Sequence, residues 1–149
     1  MKVVVQRCKY AKCTIDGRVT GQIDQGYCLF VGFTQSDTPE VVTKMVRKIA
    51  KLRIFNDENG KMNVSIQDVH GSVLSISQFT LYADAKKGNR PSFVKAAKPD
   101  QAIPLYEQFN EAFKTYDIPV ETGVFGADMK IELYNDGPVT IILDSEEVQ

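Results

Sequence analysis

The chain has 149 residues, a net charge of −1, 43% hydrophobic residues and 25% charged residues. This composition predicts one globular domain spanning residues 1–149 and excludes a general nucleic-acid coat, which needs a large positive charge. No apolar run reaches the length of about 18 residues that a membrane helix needs, and the N-terminus lacks the pattern of a secretory signal. We therefore expect a cytoplasmic protein that binds neither a membrane nor DNA.

Two turn and capping signals define the first half of the chain. Asp16-Gly17 is a strong hairpin turn signal between the first two strands. A first helix is predicted after Thr38, which is a good N-cap and is followed by apolar residues at helical spacing. A second helix is predicted at about residues 100–116, with Pro104 in its first turn or so.

The remaining periodic segments are strands, and they determine the fold class. Hairpin signals favour a mostly antiparallel sheet, and two amphipathic helices are available to cover it. We predict an α+β fold: a curled, barrel-like sheet with two covering helices in a single domain. The predicted strands cover residues 2–15, 18–23, 27–33, 73–84, 120–125, 129–134 and 139–143.

Three cysteines and one histidine limit the chemistry that side chains could supply. Cys8, Cys13 and Cys28 are an odd number without a CxxC pair, which favours reduced thiols over a disulfide or a metal site. The single histidine, His70, has no partner at ligand spacing, so a zinc site and a serine-histidine-aspartate triad are both disfavoured. We predict neither a metal nor a cofactor.

The most informative stretch is VLSISQFTLYAD, residues 73–84. It starts as a buried strand and then places Ser77, Gln78 and Thr80 in the same run, so both faces turn polar near its middle. Buried hydroxyl and amide groups cost free energy unless they are hydrogen-bonded. The pattern therefore predicts a strand that leaves the core beside a cleft, although an exposed edge strand fits the spacing as well.

A second polar stretch, NDGPVT at residues 135–140, lies between the last two predicted strands. Its composition is typical of a turn without further function. Gly137-Pro138 adds a functional interpretation, because the cis form of an X–Pro bond costs only about 0.5–1 kcal/mol and a glycine lets another molecule approach its backbone closely. Such a dipeptide could present carbonyl oxygens to an ammonium group.

Positive charge is concentrated in two segments. Residues 85–99 and residues 43–53 each contain five Lys or Arg residues and no acidic residue. Such a surface can hold the phosphate backbone of an RNA, and it is also common as the solvated side of a helix. The sequence leaves both interpretations open.

Two motifs together resemble the signature of the D-aminoacyl-tRNA deacylases, also called D-tyrosyl-tRNA deacylases. They are SQFTL at residues 77–81 and NDGPVT at residues 135–140. LRIFNDENGKMN at 52–63, KKGNRPSF at 86–93 and GVFGADM at 123–129 match in order and spacing as well. The resemblance implies a homodimer that hydrolyses the ester between a D-amino acid and the 3′-terminal adenosine of tRNA, and that also acts on glycyl-tRNA.

The resemblance also implies roles for individual residues. Gly137 and Pro138, joined by a cis peptide, would enter the active site of the partner subunit, hold the α-amino group of the substrate and exclude an L side chain. Backbone N–H groups near Phe79 and Thr80 would face the scissile carbonyl. The other implied site residues are Ser77 and Gln78 in the pocket, Phe125 and Met129 beside the terminal adenine, and Arg7, which braces the Gly–Pro loop.

The sequence leaves alternatives open for the group that attacks the ester and for the class of function. Water could attack the ester with help from oxyanion-type donors, or Thr80 could attack through an acyl-enzyme, although no base is evident to activate it. A dimeric tRNA-binding module without catalysis is one alternative function. A small-molecule esterase that uses Thr80 or Ser77 is another.

Overall fold

The computed structural model describes residues 1–148, and a sheet of six strands forms its centre. The long strand β1 (Lys2–Ile15) pairs antiparallel with β2 (Arg18–Ile23) in its second half and with β3 (Gly26–Gly32) in its first half. The last strand of the sheet, β8 (Lys130–Asp144), pairs antiparallel with β1 along almost all of its length. β1 is therefore paired on both edges, which matters for the site described below.

The other half of the sheet is parallel. β3 pairs with β6 (Ser72–Ser77), and β6 pairs with β7 (Val120–Thr122). Parallel neighbours need crossover connections, and the two crossovers contain the helices α1 (Pro39–Lys51) and α2 (Pro99–Ala112). The predicted α+β class, the barrel-like sheet and the two covering helices are confirmed, with a sheet that is mixed rather than wholly antiparallel.

The curled sheet is nearly closed where β2 approaches β7. Thr20 Oγ1 donates a hydrogen bond to the carbonyl oxygen of Thr122 at 3.3 Å. The short elements are the hairpin of β4 (Phe55–Asn56) and β5 (Met62–Val64) and two 3-10 helices, Phe79–Tyr82 and Phe113–Tyr116.

Each face of the sheet carries its own core. α1 starts after the predicted N-cap Thr38, whose hydroxyl accepts a hydrogen bond from the N–H of Val41 at 3.4 Å. Both helices bury their apolar sides against the first core, and in residues 1–148 no helix is long and apolar enough to cross a membrane. The second, smaller core lies on the opposite face and consists of Cys8, Ala11, Cys13, Ile23, Cys28, Leu74 and Ile76.

The strand predicted over residues 73–84 ends early, and the prediction of one continuous strand is wrong. The N–H of Gln78 still donates to the carbonyl oxygen of Val31 at 2.8 Å, and the chain then turns into the 3-10 helix Phe79–Tyr82. The reason is the length of the neighbouring strand: β3 ends at Gly32, so the residues beyond Gln78 have no parallel partner.

The turn predicted between residues 129–134 and 139–143 is a bulge inside one strand. Gln6 pairs with Thr140 and Cys8 pairs with Asn135, so residues 136–139 of β8 stand opposite the single residue Arg7. Both flanking segments stay paired with β1, because β1 is long enough to serve both. The chain therefore swells outward at residues 136–139 and does not reverse its direction.

Two smaller predictions need correction. α2 begins at Pro99, so Pro104 lies inside the helix beyond its first turn, and the α-helix gives way to a 3-10 helix at Phe113. The strand predicted at residues 120–125 ends at Thr122.

The three thiols are buried in the second core, so their reactivity tests how tightly that core is packed. Burial raises the pKa of Cys8 to about 11 and that of Cys28 to about 12, so both thiols stay protonated at neutral pH. We predict that an aromatic disulfide reagent at about pH 8 reacts with these thiols at least about 100-fold more slowly in the native protein than in denaturant. The denatured chain should release three equivalents, and equal native and denatured rates would contradict the packing.

Candidate active site

Five of the predicted site residues line one cleft of about 270 Å³. The cleft lies between the end of β6 and the loop that leads into β8. Its lining has no ionisable side chain, so neither a carboxylate nor an imidazole is available inside it for proton transfer. The lining residues are Ile76, Ser77, Gln78, Phe79, Phe125, Gly126, Ala127, Met129 and Ile131.

The rim of the cleft presents backbone donors. The first N–H groups of a helix have no intrahelical acceptor, and in the 3-10 helix that starts at Phe79 the first N–H to bond within the turn is that of Leu81, to the carbonyl oxygen of Gln78 at 3.2 Å. The N–H groups of Phe79 and Thr80 precede it. Both N–H groups thus lack an acceptor within the turn, and Phe79 itself lines the cleft.

An aromatic pair stands at the same rim. The side chain of Phe79 is 53% exposed and meets Phe93 edge to face, with ring centroids 5.1 Å apart. Phe93 lies within the basic segment of residues 85–99, after Lys86, Lys87 and Arg90. The basic loop is thereby attached to the mouth of the cleft, a contact that the sequence analysis missed and that the KKGNRPSF motif could have indicated.

Thr80 is exposed and has an amide, not a base, as its neighbour. Gln78 Nε2 donates to Thr80 Oγ1 at 2.6 Å. A primary amide does not accept a proton at neutral pH, so this contact does not activate the hydroxyl. His70 lies elsewhere, in a hollow with Gln67 and Tyr116, and in residues 1–148 no cluster of His, Cys, Asp or Glu is arranged to hold a metal ion.

Arg7 fixes the bulge of β8 from inside the protein. Arg7 is 5% exposed, and its Nε donates to the carbonyl oxygen of Asp136 at 3.0 Å. Nη1 donates to the carbonyl oxygen of Ile54 at 2.7 Å and to Asn56 Oδ1 at 3.1 Å. The arginine predicted to brace the Gly–Pro loop thus joins that loop to the β4 strand.

Asn135 holds the two ends of the bulge together and was not predicted. Its Nδ2 donates to the carbonyl oxygens of Arg7 at 3.1 Å and Val139 at 3.0 Å. An asparagine at the start of a Gly–Pro loop is the available signal, since its amide commonly bonds to nearby backbone. Within one chain, the bulge is therefore held at both ends and from beneath.

Gly137 and Pro138 form the exposed tip of this bulge. Their peptide bond is cis, as the resemblance implied, and Gly137 has a φ of +129°. L side chains rarely adopt this φ, and a β-carbon would also come within 2.9 Å of Arg7 Nη2 and 2.8 Å of Val139 Cγ2, so glycine is strongly favoured here. Neither residue lines the cleft of its own chain, so the chain by itself does not bring the Gly–Pro tip and the cleft together.

Comparisons with known proteins converge on one family. A sequence model of the D-Tyr-tRNA(Tyr) deacylase family matches residues 4–144. A protein from Geobacillus sp. (strain WCH70) named D-aminoacyl-tRNA deacylase is 59% identical over 147 residues, which is 99% of this chain and 97% of the relative.

Solved structures agree on the fold. A chain named c-Myc DNA Unwinding Element Binding Protein superposes with a TM-score of 0.91 at 42% identity, covering 97% of this chain and 98% of that one. A second structure, described as a probable eukaryotic D-amino acid tRNA deacylase, superposes with a TM-score of 0.83 at 16% identity, covering 95% and 97% of the two chains. The second likeness bears on the fold alone.

The contacts of Arg7 predict its contribution to stability. Arg7→Lys should lower the free energy of unfolding by about 2 kcal/mol, because an ammonium group cannot reach the carbonyls of Asp136 and Ile54 together and one buried acceptor loses its donor. The matched control is Arg53→Lys, since Arg53 also bonds a carbonyl, that of Asn63, but is exposed. We expect that variant to change the free energy by less than about 0.5 kcal/mol. Urea unfolding at one protein concentration compares the two variants. Equal losses of unfolding free energy would show that Arg7 does not brace the bulge.

Proposed function

Because this chain belongs to the D-Tyr-tRNA(Tyr) deacylase family, we propose that it removes D-amino acids from tRNA in a cleft completed by the Gly–Pro tip of a second copy. The activity is D-aminoacyl-tRNA deacylation, a hydrolase reaction on the ester at the 3′ end of the tRNA. The proposal that a second copy completes the cleft rests on the exposed Gly137-Pro138 tip. Hydrogen bonds from Arg7 and Asn135 hold this tip, and it does not line the cleft of its own chain. An enzyme that acts on aminoacyl-tRNA meets its substrate in the cytoplasm.

The cleft accepts the aminoacyl end of the substrate. The terminal adenine lies beside Phe125 and Met129, and the scissile carbonyl faces the N–H groups of Phe79 and Thr80. Ser77 and Gln78 form the wall of the pocket. Two N–H groups aimed at a developing oxyanion can supply much of the transition-state stabilisation in a site without charged side chains.

The Gly–Pro tip senses chirality with its main chain. Carbonyl oxygens of Gly137 and Pro138 in the partner subunit accept hydrogen bonds from the α-ammonium group of the substrate. With the amine and the ester both anchored, the α-hydrogen of a D-residue points at the tip, whereas an L-residue points its side chain there and collides. Glycine has no side chain to collide, so glycyl-tRNA is also a substrate.

A row of apolar residues supports the association of two copies. Register aligns Ile142, Val4, Phe30 and Ile76 across β8, β1, β3 and β6. Ile142 is 71% exposed at one end of the row, while Ile76 lines the cleft at the other. An apolar row that runs from the exposed Ile142 on β8 to the cleft favours burial by a second copy. A partner that covers this row would lie close to the cleft.

Water is the attacking group in the mechanism we propose. Its oxygen adds to the carbonyl carbon, the N–H groups of Phe79 and Thr80 stabilise the oxyanion, and the bond to the ribose 3′ oxygen then breaks. The 3′ oxygen leaves with one proton of the water, the other proton is released to the solvent, and the D-amino acid departs as its carboxylate. The neighbouring ribose 2′-hydroxyl relays the proton, because no protein base lines the cleft.

The test of the chiral proposal is a deacylation time course on D-tyrosyl-tRNA, L-tyrosyl-tRNA and glycyl-tRNA. We expect turnover of the D and glycyl esters, and a rate on the L ester at least about 100-fold lower, which corresponds to about 2.8 kcal/mol of discrimination. Parallel incubations without enzyme correct for spontaneous hydrolysis. Equal rates on the two tyrosyl esters, or no turnover of either, would refute the proposal.

Thr80→Ala separates water attack from attack by the threonine hydroxyl. If water attacks, the variant should keep its rate within about tenfold, whereas loss of a covalent nucleophile costs about 10⁴-fold or more. Thr80→Ser is the control that retains a hydroxyl. If the alanine variant is inactive and the serine variant is active, Thr80 attacks through an acyl-enzyme and water does not attack the ester. That result would also favour the small-molecule esterase as the alternative function.

A further inference from the structure

The end of α1 carries a positively charged groove of about 290 Å³ that the deacylation site does not use. We call it the α1 groove. Its cationic side chains are all exposed, and among residues 1–148 none of them forms an ion pair with a carboxylate. The lining residues are Arg47, Lys48, Lys51, Leu52 and Arg53.

Helix electrostatics alone do not explain this concentration of charge. Lys48 and Lys51 occupy the last turn of α1, where a cation is favoured by the helix dipole within about one turn. Arg47 and Arg53 add two more charges around the same hollow in a protein whose net charge is −1. A concave, uncompensated cluster of four cations suits a ligand with several closely spaced negative charges, such as successive phosphates of a nucleic acid.

The α1 groove adjoins the base of the Gly–Pro bulge. Arg53 directly precedes Ile54, whose carbonyl accepts from Arg7 Nη1, and Arg7 Nε donates to the carbonyl of Asp136 one residue before Gly137. α1 lies on the face of the sheet that holds the first core. Ile76, Met129 and Ile131 of the cleft lie in or pack against the second core on the opposite face, whereas Phe125 of the cleft packs against the first core. The groove is therefore associated with the bulge, and three residues of the cleft of its own chain lie across the sheet from it.

We propose that the α1 groove of one subunit binds phosphates of the acceptor stem of the tRNA whose 3′ end occupies the cleft of the other subunit. This inference rests on the proposed function, because it requires that the Gly–Pro tip enter the partner's cleft and carry the adjoining groove with it. The duplex that follows the single-stranded 3′ end presents two phosphate backbones to this surface. Lys86, Lys87 and Arg90 belong to the loop that Phe93 attaches to the rim of the cleft holding the 3′ end, so the stem is held between basic surfaces of two subunits.

The first test removes charge from the groove without reversing it. Lys48→Gln/Lys51→Gln loses two cations, and Lys48→Arg/Lys51→Arg is the matched control that keeps them. The substrates are D-tyrosyl-tRNA and 3′-O-D-tyrosyl-adenosine, which has the ester and the adenine but no stem. Thermal unfolding of each variant shows whether α1 is intact.

At about 0.15 M salt each phosphate contact contributes roughly fivefold to affinity, so the Gln variant should lose roughly 25-fold in kcat/KM on tRNA and show a shallower salt dependence. Its rate on the adenosine ester should match that of the wild type, and the Arg variant should match the wild type on both substrates. An unchanged rate on tRNA, or an equal loss on both esters, would overturn the proposal. If the wild type cleaves neither ester, the proposed function fails. The affinity of the groove can still be measured by the fluorescence anisotropy of a labelled acceptor-stem hairpin that carries no amino acid.

Mixed dimers test which subunit supplies the groove. One chain carries Lys48→Gln/Lys51→Gln with an open cleft, and the other carries an intact groove with its cleft filled by Ala127→Trp. The only open cleft then faces the intact groove of its partner, so the mixed dimer should recover about half of the wild-type rate on D-tyrosyl-tRNA. Recovery on the adenosine ester alone would place the groove beside its own cleft and overturn the proposal.

Discussion

The buried guanidinium of Arg7 is the contact on which the rest of the site depends. Burying a cation is costly unless its donors are satisfied, and here Nε and Nη1 bond to Asp136, Ile54 and Asn56. These partners come from two separate parts of the chain, so one side chain fixes the bulge of β8 to the β4 hairpin. The proposed recognition by the main chain at the tip requires a fixed backbone, and this internal cation holds that backbone in place.

Local signals in the sequence were sufficient for much of the architecture. The hairpin at Asp16-Gly17 has positive φ at both residues, and Thr38 caps α1 as expected, because turn and cap chemistry acts between residues close in sequence. The same holds for the polarity change after Ile76, which correctly indicated that the chain leaves the core beside a cleft. The polar pattern pointed to a cleft near Ser77 and Gln78, and the family resemblance supplied their place in its wall.

Features that depend on distant strands could not be predicted in this way. Whether residues 136–139 reverse the chain or swell out of a continuous strand depends on the length of β1, which pairs with both flanking segments. Whether the segment after Ser77 stays extended depends on where β3 ends. Gly–Pro chemistry and a run of apolar residues are compatible with either outcome. The roles of Phe125, Met129 and Gly137 followed from a family resemblance, since nothing local distinguishes them from ordinary loop residues.

The absence of charge in the cleft has a consequence for the whole molecular surface. The residues that line it offer neutral donors and apolar walls, which suit an oxyanion that forms only during the reaction but attract a polyanionic substrate weakly. Affinity for tRNA must then come from cations outside the cleft, where they cannot disturb the protonation of the reacting groups. The two basic segments of the sequence are placed accordingly: one joins the rim through Phe93 and Phe79, and the other adjoins the bulge through Ile54 and Arg7. In the function proposed above, this arrangement separates the charges that bind tRNA from the groups that take part in the reaction, and the main chain of the Gly–Pro tip inspects the amino acid.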